Sequence, residues 1–288
     1  MNETELSDIA NPQSTIRNPQ SEAPIGIFDS GVGGLTVFRA IEQRLPDESL
    51  IYLGDTARIP YGVRSAATIE RYALECANFI QSRGVKAIVI ACNTASALAA
   101  NYLRSKSSLP IIGVIRPGSR SAVAQTRSGH IGVIATEATV ASGAYERAML
   151  AIGNGLEITS RACPLFVPLA EEGWVDHPVT RQVAEEYLAE LRSTGIDTLV
   201  LGCTHYPILR PVIEQTMGDA IKYIDSGEAV ADTLAALLEA ENIECKSGRQ
   251  RTEEFYVTDS AARFRRVAEI FLGRPLESVE KVELGTVG

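Results

Sequence analysis

Two short stretches of this chain, Ala91-Cys92-Asn93-Thr94-Ala95-Ser96 and Gly202-Cys203-Thr204-His205-Tyr206-Pro207, carry residue types that can move a proton. In each, a cysteine is followed within two residues by a threonine. A thiol is an acid, its thiolate a base, and the amides and hydroxyls after it can hold an anion at a helix start. Shifting a hydrogen from one face of a carbon to the other needs a base on one side and an acid opposite. A thiol with a pKa near 8.5 is roughly 3% thiolate at pH 7, so a modest shift makes both forms accessible. A carbon acid is weak, so its carboxylate must be gripped by donors such as those of Thr94, Thr204, Asn93 and Ser30. Two such turns suggest two thiols facing one small substrate.

Other residues compete for roles. Asp29-Ser30-Gly31-Val32-Gly33-Gly34 resembles a phosphate loop, yet it has neither the Gly-x-Gly-x-x-Gly spacing nor a Gly-Lys-Ser/Thr. A compact strand–helix turn explains the glycines. Asp29 is more telling, because a carboxylate that ends an apolar strand needs a reason: it binds a substrate ammonium or helps with a proton. His205, two residues after Cys203, is placed to deliver a proton or tune the thiol. Tyr61-Gly62, after Pro60, offers backbone or hydroxyl contacts to an anion, and a plain turn explains it equally well. Glu171-Glu172 reads as a solvated helix end. Cys76, Cys163 and Cys245 read as small hydrophobes. Cys92, Cys203 and His205 also compose a third reading, a metal site, which no Cys-x-x-Cys or paired-histidine spacing supports.

These residues need strands and helices to present them. The apolar runs 87–91 and 198–202 lead into the two cysteine turns. A strand feeding a helix puts such a turn at the carboxyl edge of a parallel sheet, where open α/β folds bind ligands. Strands are expected at 25–29, 49–53, 111–115, 130–134, 156–161, 221–225 and 254–258, with helices at 35–44, 65–83, 180–192 and 260–272 and another from Ser226. The alternation points to parallel sheets with helices on both faces. Asp29 and Cys92 are 63 positions apart; Thr136, which ends the counterpart strand, and Cys203 are 67 apart. That similarity suggests two related α/β units facing each other across a cleft, with one cysteine from each.

With 288 residues, 45% of them hydrophobic and 22% charged, the chain is suited to one large or two modest α/β domains. Its net charge of −9 argues against a nucleic-acid or anionic-membrane surface. No apolar run approaches the roughly 20 residues of a membrane helix. Residues 1–23 are polar, lack the basic head and apolar stretch of a signal peptide, and read as a disordered extension, so a cytoplasmic protein is expected. Five cysteines, an odd number, fit reduced thiols. The chain has five lysines and none lies in a motif, which disfavours a pyridoxal Schiff base.

The chain resembles the glutamate racemases of the cofactor-independent aspartate/glutamate racemase superfamily. The matching signatures are Phe28-Asp29-Ser30-Gly31-Val32-Gly33-Gly34-Leu35, Pro60-Tyr61-Gly62, the two cysteine stretches, and Asp225-Ser226-Gly227. They run in the family's order over nearly all of residues 24–288. The resemblance implies Cys92 and Cys203 as the proton acceptor and donor pair, Cys92 acting on D-glutamate and Cys203 on L-glutamate. It implies Asp29, Ser30, Tyr61, Gly62, Asn93, Thr94, Thr204 and His205 around the substrate, with Asp29 and His205 assisting proton transfer. No cofactor and no metal are implied. Two α/β domains are implied, one of residues 24–115 plus 226–288 and one of 116–225, in a homodimer that supplies D-glutamate for peptidoglycan. Some Gram-negative members carry a comparable N-terminal extension and need a UDP-muramoyl-alanine precursor as activator, a candidate partner here. The alternatives are a racemase for aspartate or another small amino acid, and a protein that binds an amino acid or another partner, such as DNA gyrase, without turnover. The thiol pair favours the enzyme, since binding alone does not need it.

Overall fold

The computed structural model describes residues 19–245 and 251–285. In chain order its elements are β1 (Ile25–Asp29), α1 (Leu35–Arg44), β2 (Leu50–Gly54), α2 (Ala66–Ser82), β3 (Ala87–Ile90), α3 (Asn93–Lys106), β4 (Ile111–Gly113), α4 (Ile115–Gln125), β5 (His130–Ala135), α5 (Glu137–Ala141) and α6 (Ala144–Leu150). There follow β6 (Glu157–Ala162), α7 (Phe166–Glu171), α8 (Pro178–Ser193), β7 (Thr198–Gly202), α9 (Arg210–Met217), β8 (Lys222–Asp225), α10 (Ser226–Ala240), β9 (Glu253–Val257), α11 (Ala261–Leu272) and β10 (Glu280–Lys281). The expected alternation holds, with the boundaries shifted by a residue or two.

The strands form two parallel sheets, one in the order β10-β9-β2-β1-β3-β4 and the other β6-β5-β7-β8. Strands β1, β2, β3 and β7 are buried along their whole length, which is why they read as unbroken apolar runs rather than alternating ones. In the first sheet the chain moves from β1 to one side (β2) and then to the other (β3). In the second it moves likewise from β5 to β6 and then to β7. Each sheet therefore has a switch point beside its first strand, where the carboxyl ends open a crevice. Asp29 ends β1 and Cys92 follows β3, the strands that flank the first switch point; Thr136 and Cys203 follow β5 and β7, which flank the second. The two α/β units repeat one arrangement.

Helix α10 packs on both α1 and α4. One apolar cluster accordingly runs from Ile25, Val37 and Phe38 through Val230 and Leu234 to Leu199 and Leu201. This continuity holds the two sheets' carboxyl edges in a common cleft.

Two expectations need correction. The strand expected at 111–115 ends at Gly113, and α4 starts at Ile115, so Arg116-Pro117-Gly118 lies inside the first helical turn. Pro117 is tolerated there because a first-turn N–H has no partner within the helix to lose. The extension expected to be disordered over 1–23 has an ordered end, since Pro19–Glu22 form a 3-10 turn; residues 1–18 lie outside the described residues. Lys86 precedes β3 at the end opposite Cys92, is 4% exposed, and donates from Nζ to the carbonyls of Ser21 at 2.9 Å and Ile243 at 2.7 Å. Truncation to Ala23 removes the Ser21 acceptor from this buried ammonium. It should cost about 1–3 kcal/mol and lower Tm by roughly 2–8 °C relative to truncation to Pro19, measured by thermal melts of the two proteins.

Candidate active site

The first cysteine turn begins where β3 stops. Cys92 has extended backbone angles (φ −99°, ψ 124°) and caps α3, with its Sγ accepting from the Ala95 N–H at 3.5 Å. The thiol lies 3.5 Å from Ser30 Oγ, to which it donates. Cys92 is 6% exposed. Burial pushes its pKa up to about 12, the Asp29 charge adds to the rise, and the hydrogen bonds of Ser30 and Ala95 oppose it. Cys92 therefore rests as a thiol, the proton-donating form.

Cys203 follows β7 and is also buried. Its Sγ lies 3.7 Å from His205 Nδ1, and His205 Nε2 lies 3.2 Å from Glu171 Oε1. Burial works against an imidazolium at His205, but the hydrogen bonds of Cys203 and Glu171 outweigh it and raise the pKa to about 10. Burial likewise works against the Glu171 carboxylate, and the hydrogen bond and charge of His205 outweigh that, holding its pKa below the usual value. At neutral pH a charged imidazole thus stands between a carboxylate and the second sulfur.

His205 binds its proton more tightly folded than unfolded. This contribution is fully present below the unfolded pKa near 6.5 and is lost as pH rises through about 10. Glu171→Gln removes one cause of it. The variant should be less stable than the parent by about 1–3 kcal/mol at pH 6, with the gap closing by pH 10.5, as denaturant melts of both proteins at the two pH values would report.

Between the two thiols lies a cavity of about 290 Å³, at the lower end of the range for small-ligand sites. Ser30, Tyr61, Gly62, Cys92, Asn93, Thr94, Cys203, Thr204 and His205 all line it, so most of the residues expected at the site come together. Thr94 Oγ1 lies 3.0 Å from Thr136 Oγ1 and 3.3 Å from Thr139 Oγ1, and so joins the two units across the cleft. Thr36 Oγ1 donates to the Thr204 carbonyl at 3.0 Å, a second tie. Gly33 permits this close approach: a Cβ there would lie 2.4 Å from His205 Nδ1 and 2.7 Å from Thr204 Oγ1.

Asp29 departs from expectation, for it does not line the cavity. Its Oδ2 accepts from the N–H groups of Gly31 at 2.9 Å and Gly34 at 3.1 Å and so ties down the glycine turn. Its Oδ1 is buried with no hydrogen-bond partner among the described residues. Burial raises its pKa, against the lowering effects of His205 and the turn's N–H groups. Tyr61 is in the wall, but its hydroxyl donates away from the cavity to Asp55, which Arg58 Nε also bonds at 2.6 Å. What Tyr61 offers a ligand is ring and backbone.

Glu171 overturns its reading as a solvated helix end. It closes α7 and, with Pro164, Val167 and Pro168, forms a wall of the cavity. Thr136 and Glu137 also line it. The equivalence of Thr136 with Asp29 at matching strand ends was the available signal for the threonine; Glu171 had none, lying 34 residues from the histidine it meets.

Twin switch points thus each present a thiol to one small cavity. Residues 25–234 match the family model described as Asp/Glu/hydantoin racemase. The chain is 51% identical over 260 residues to the glutamate racemase of Geobacter metallireducens, covering 90% of this chain and 96% of that protein. A glutamate racemase isoform from Bacillus anthracis superposes with a TM-score of 0.88 at 39% identity, covering 92% of this chain and 98% of the other. The Francisella tularensis enzyme, solved in complex with D-glutamate, gives 0.86 at 39%, with 93% and 100% covered. The chain belongs to the Asp/Glu/hydantoin racemase family. Within that family it is a glutamate racemase.

Proposed function

We propose that the enzyme interconverts L- and D-glutamate by passing the α-proton between Cys92 and Cys203, with no cofactor and no metal. The observation that carries this reading is the pair of buried thiols at one cavity, each supplied by the switch point of a different sheet. With L-glutamate bound, the Cys203 sulfur takes the α-hydrogen while the Cys92 thiol gives its proton to the opposite face. Cys203 is left protonated and Cys92 deprotonated, and the reverse reaction runs from that state. Asn93, Thr94, Thr204 and Ser30 offer hydrogen bonds to the carboxylate on which charge develops. His205, held protonated by Glu171, keeps a proton beside Cys203. Asp29 acts from behind Ser30, where its charge favours the protonated form of Cys92.

The same reading makes the protein a cytoplasmic homodimer that supplies D-glutamate for peptidoglycan. The described residues contain no helix long and apolar enough to cross a membrane, which agrees with it. The two sheets support a division into residues 24–115 plus 226–288 and 116–225. An Escherichia coli glutamate racemase, 31% identical and superposing with a TM-score of 0.74, covering 92% of this chain and all of the other, was solved with L-glutamate and the activator UDP-MurNAc-Ala. The same precursor is the activator to try here.

The test is circular dichroism of L-glutamate with purified protein and nothing added. The signal is expected to decay to zero at a rate that chelators and pyridoxal phosphate leave unchanged. Decay only after pyridoxal phosphate is supplied, or inactivation by a chelator, would contradict the proposal.

A further inference from the structure

Beside the Cys92 turn lies a buried polar cluster of which the proposed function uses only Asn93. Asn93 opens α3 in the first unit, Tyr145 lies in the first turn of α6 in the second, and Ser226 opens α10, where the chain leaves β8. Each of the three is 3% exposed. The Tyr145 hydroxyl donates to Asn93 Oδ1 at 2.7 Å and lies 3.0 Å from Ser226 Oγ. Burial raises the Tyr145 pKa, so the phenol stays neutral and keeps its proton to donate.

A phenol has one proton and a carboxamide has two distinct ends. Donation from Tyr145 fixes which end of Asn93 faces the phenol, and Ser226 fills the phenol's acceptor side. Asn93 Nδ2 is then left buried with no hydrogen-bond partner among the described residues, on a side chain that lines the cavity with Cys92 and Thr94. A buried N–H is costly to leave unpaired, so a site that keeps one expects an acceptor to arrive. With the amide reversed, Oδ1 would meet an anionic ligand instead, and repel it.

We infer that Tyr145 is a positioning residue for the reaction: its hydroxyl holds Asn93 Oδ1 so that Nδ2 is presented as a donor to an anionic oxygen of the substrate. The inference rests on the proposed function only for the substrate's identity.

The experiment compares Tyr145→Phe, Asn93→Ala, the double variant and Ser226→Ala with the parent, for L- and D-glutamate separately. Phenylalanine keeps the ring and removes one hydroxyl. Tyr145→Phe should raise KM for both enantiomers by about 3- to 10-fold, with kcat within about twofold. In the Asn93→Ala background the same change should add nothing, because the group it orients is gone. Ser226→Ala leaves the Tyr145–Asn93 bond in place and should keep KM within about twofold. An unchanged KM in Tyr145→Phe overturns the inference. So does an equal KM rise with and without Asn93, or a rise in Ser226→Ala as large as that in Tyr145→Phe, since each marks general loosening. A parent that binds glutamate without racemising it would defeat the proposed function but not this inference, and the same comparison would then be made on Kd by titration calorimetry.

Discussion

Cys92→Ala and Cys203→Ala should each abolish racemisation, lowering the rate by about 10³-fold or more. In the proposed mechanism the full cycle needs one sulfur to take the α-proton and the other to return one on the far face. With either sulfur gone, no acid remains on that side. The other cysteines are internal controls. Cys76 lies 3.8 Å from an Arg58 nitrogen in the network behind the Tyr61 loop, and the Cys163 thiol faces the Arg161 carbonyl at 3.8 Å. Neither lines the cavity, nor does Cys245. Alanine at Cys76 or Cys163 should cost about 1–2 kcal/mol of stability through lost packing, with activity within a few-fold of the parent. Polarimetry and denaturant melts of the four variants separate the two outcomes. Substantial racemase activity without Cys92 or Cys203 would contradict the assignment.

The two cysteines differ in their surroundings. Cys92 sits near the Asp29 carboxylate and is pushed up to about 12, mainly by burial. Cys203 sits beside an imidazolium that Glu171 holds in the charged state. One sulfur has a negative neighbour and the other a positive one. This difference supports the proposal that Cys92 gives a proton and Cys203 takes one.

Sequence alone disclosed much of this arrangement, because the decisive residues sit at strand ends. An apolar run of five that stops at Cys-Asn-Thr or Cys-Thr-His is visible without coordinates, and the parallel-sheet rule places such a turn at a binding edge. What escaped notice depends on side-chain direction or on contacts distant in sequence. Glu171-Glu172-Gly173-Trp174 has the composition of a solvated helix end, yet the turn of α7 points one carboxylate at His205. Tyr61 reads as a source of backbone or hydroxyl contacts to an anion, but no local rule shows its hydroxyl turned toward Asp55. Asp29 was expected to face the ligand; the two glycine N–H groups that it accepts draw it behind the turn instead. Tyr145 carries no local signal in the first turn of α6, and only the tertiary fold brings its hydroxyl to Asn93.

The claim that the two thiols serve opposite faces of one carbon is tested most directly with an elimination substrate, a β-chloro or N-hydroxy glutamate, offered as each enantiomer. Loss of the leaving group needs only the first deprotonation, so each enantiomer reports on one base. Serine can still donate a proton but is a far poorer base than a thiolate. Cys203→Ser should slow elimination from the L-enantiomer by about 10²-fold or more and leave the D-enantiomer much less affected. Cys92→Ser should show the reverse. Equal slowing of both enantiomers in both variants would mean that the sulfurs do not divide the two faces, and the two-thiol account would fall.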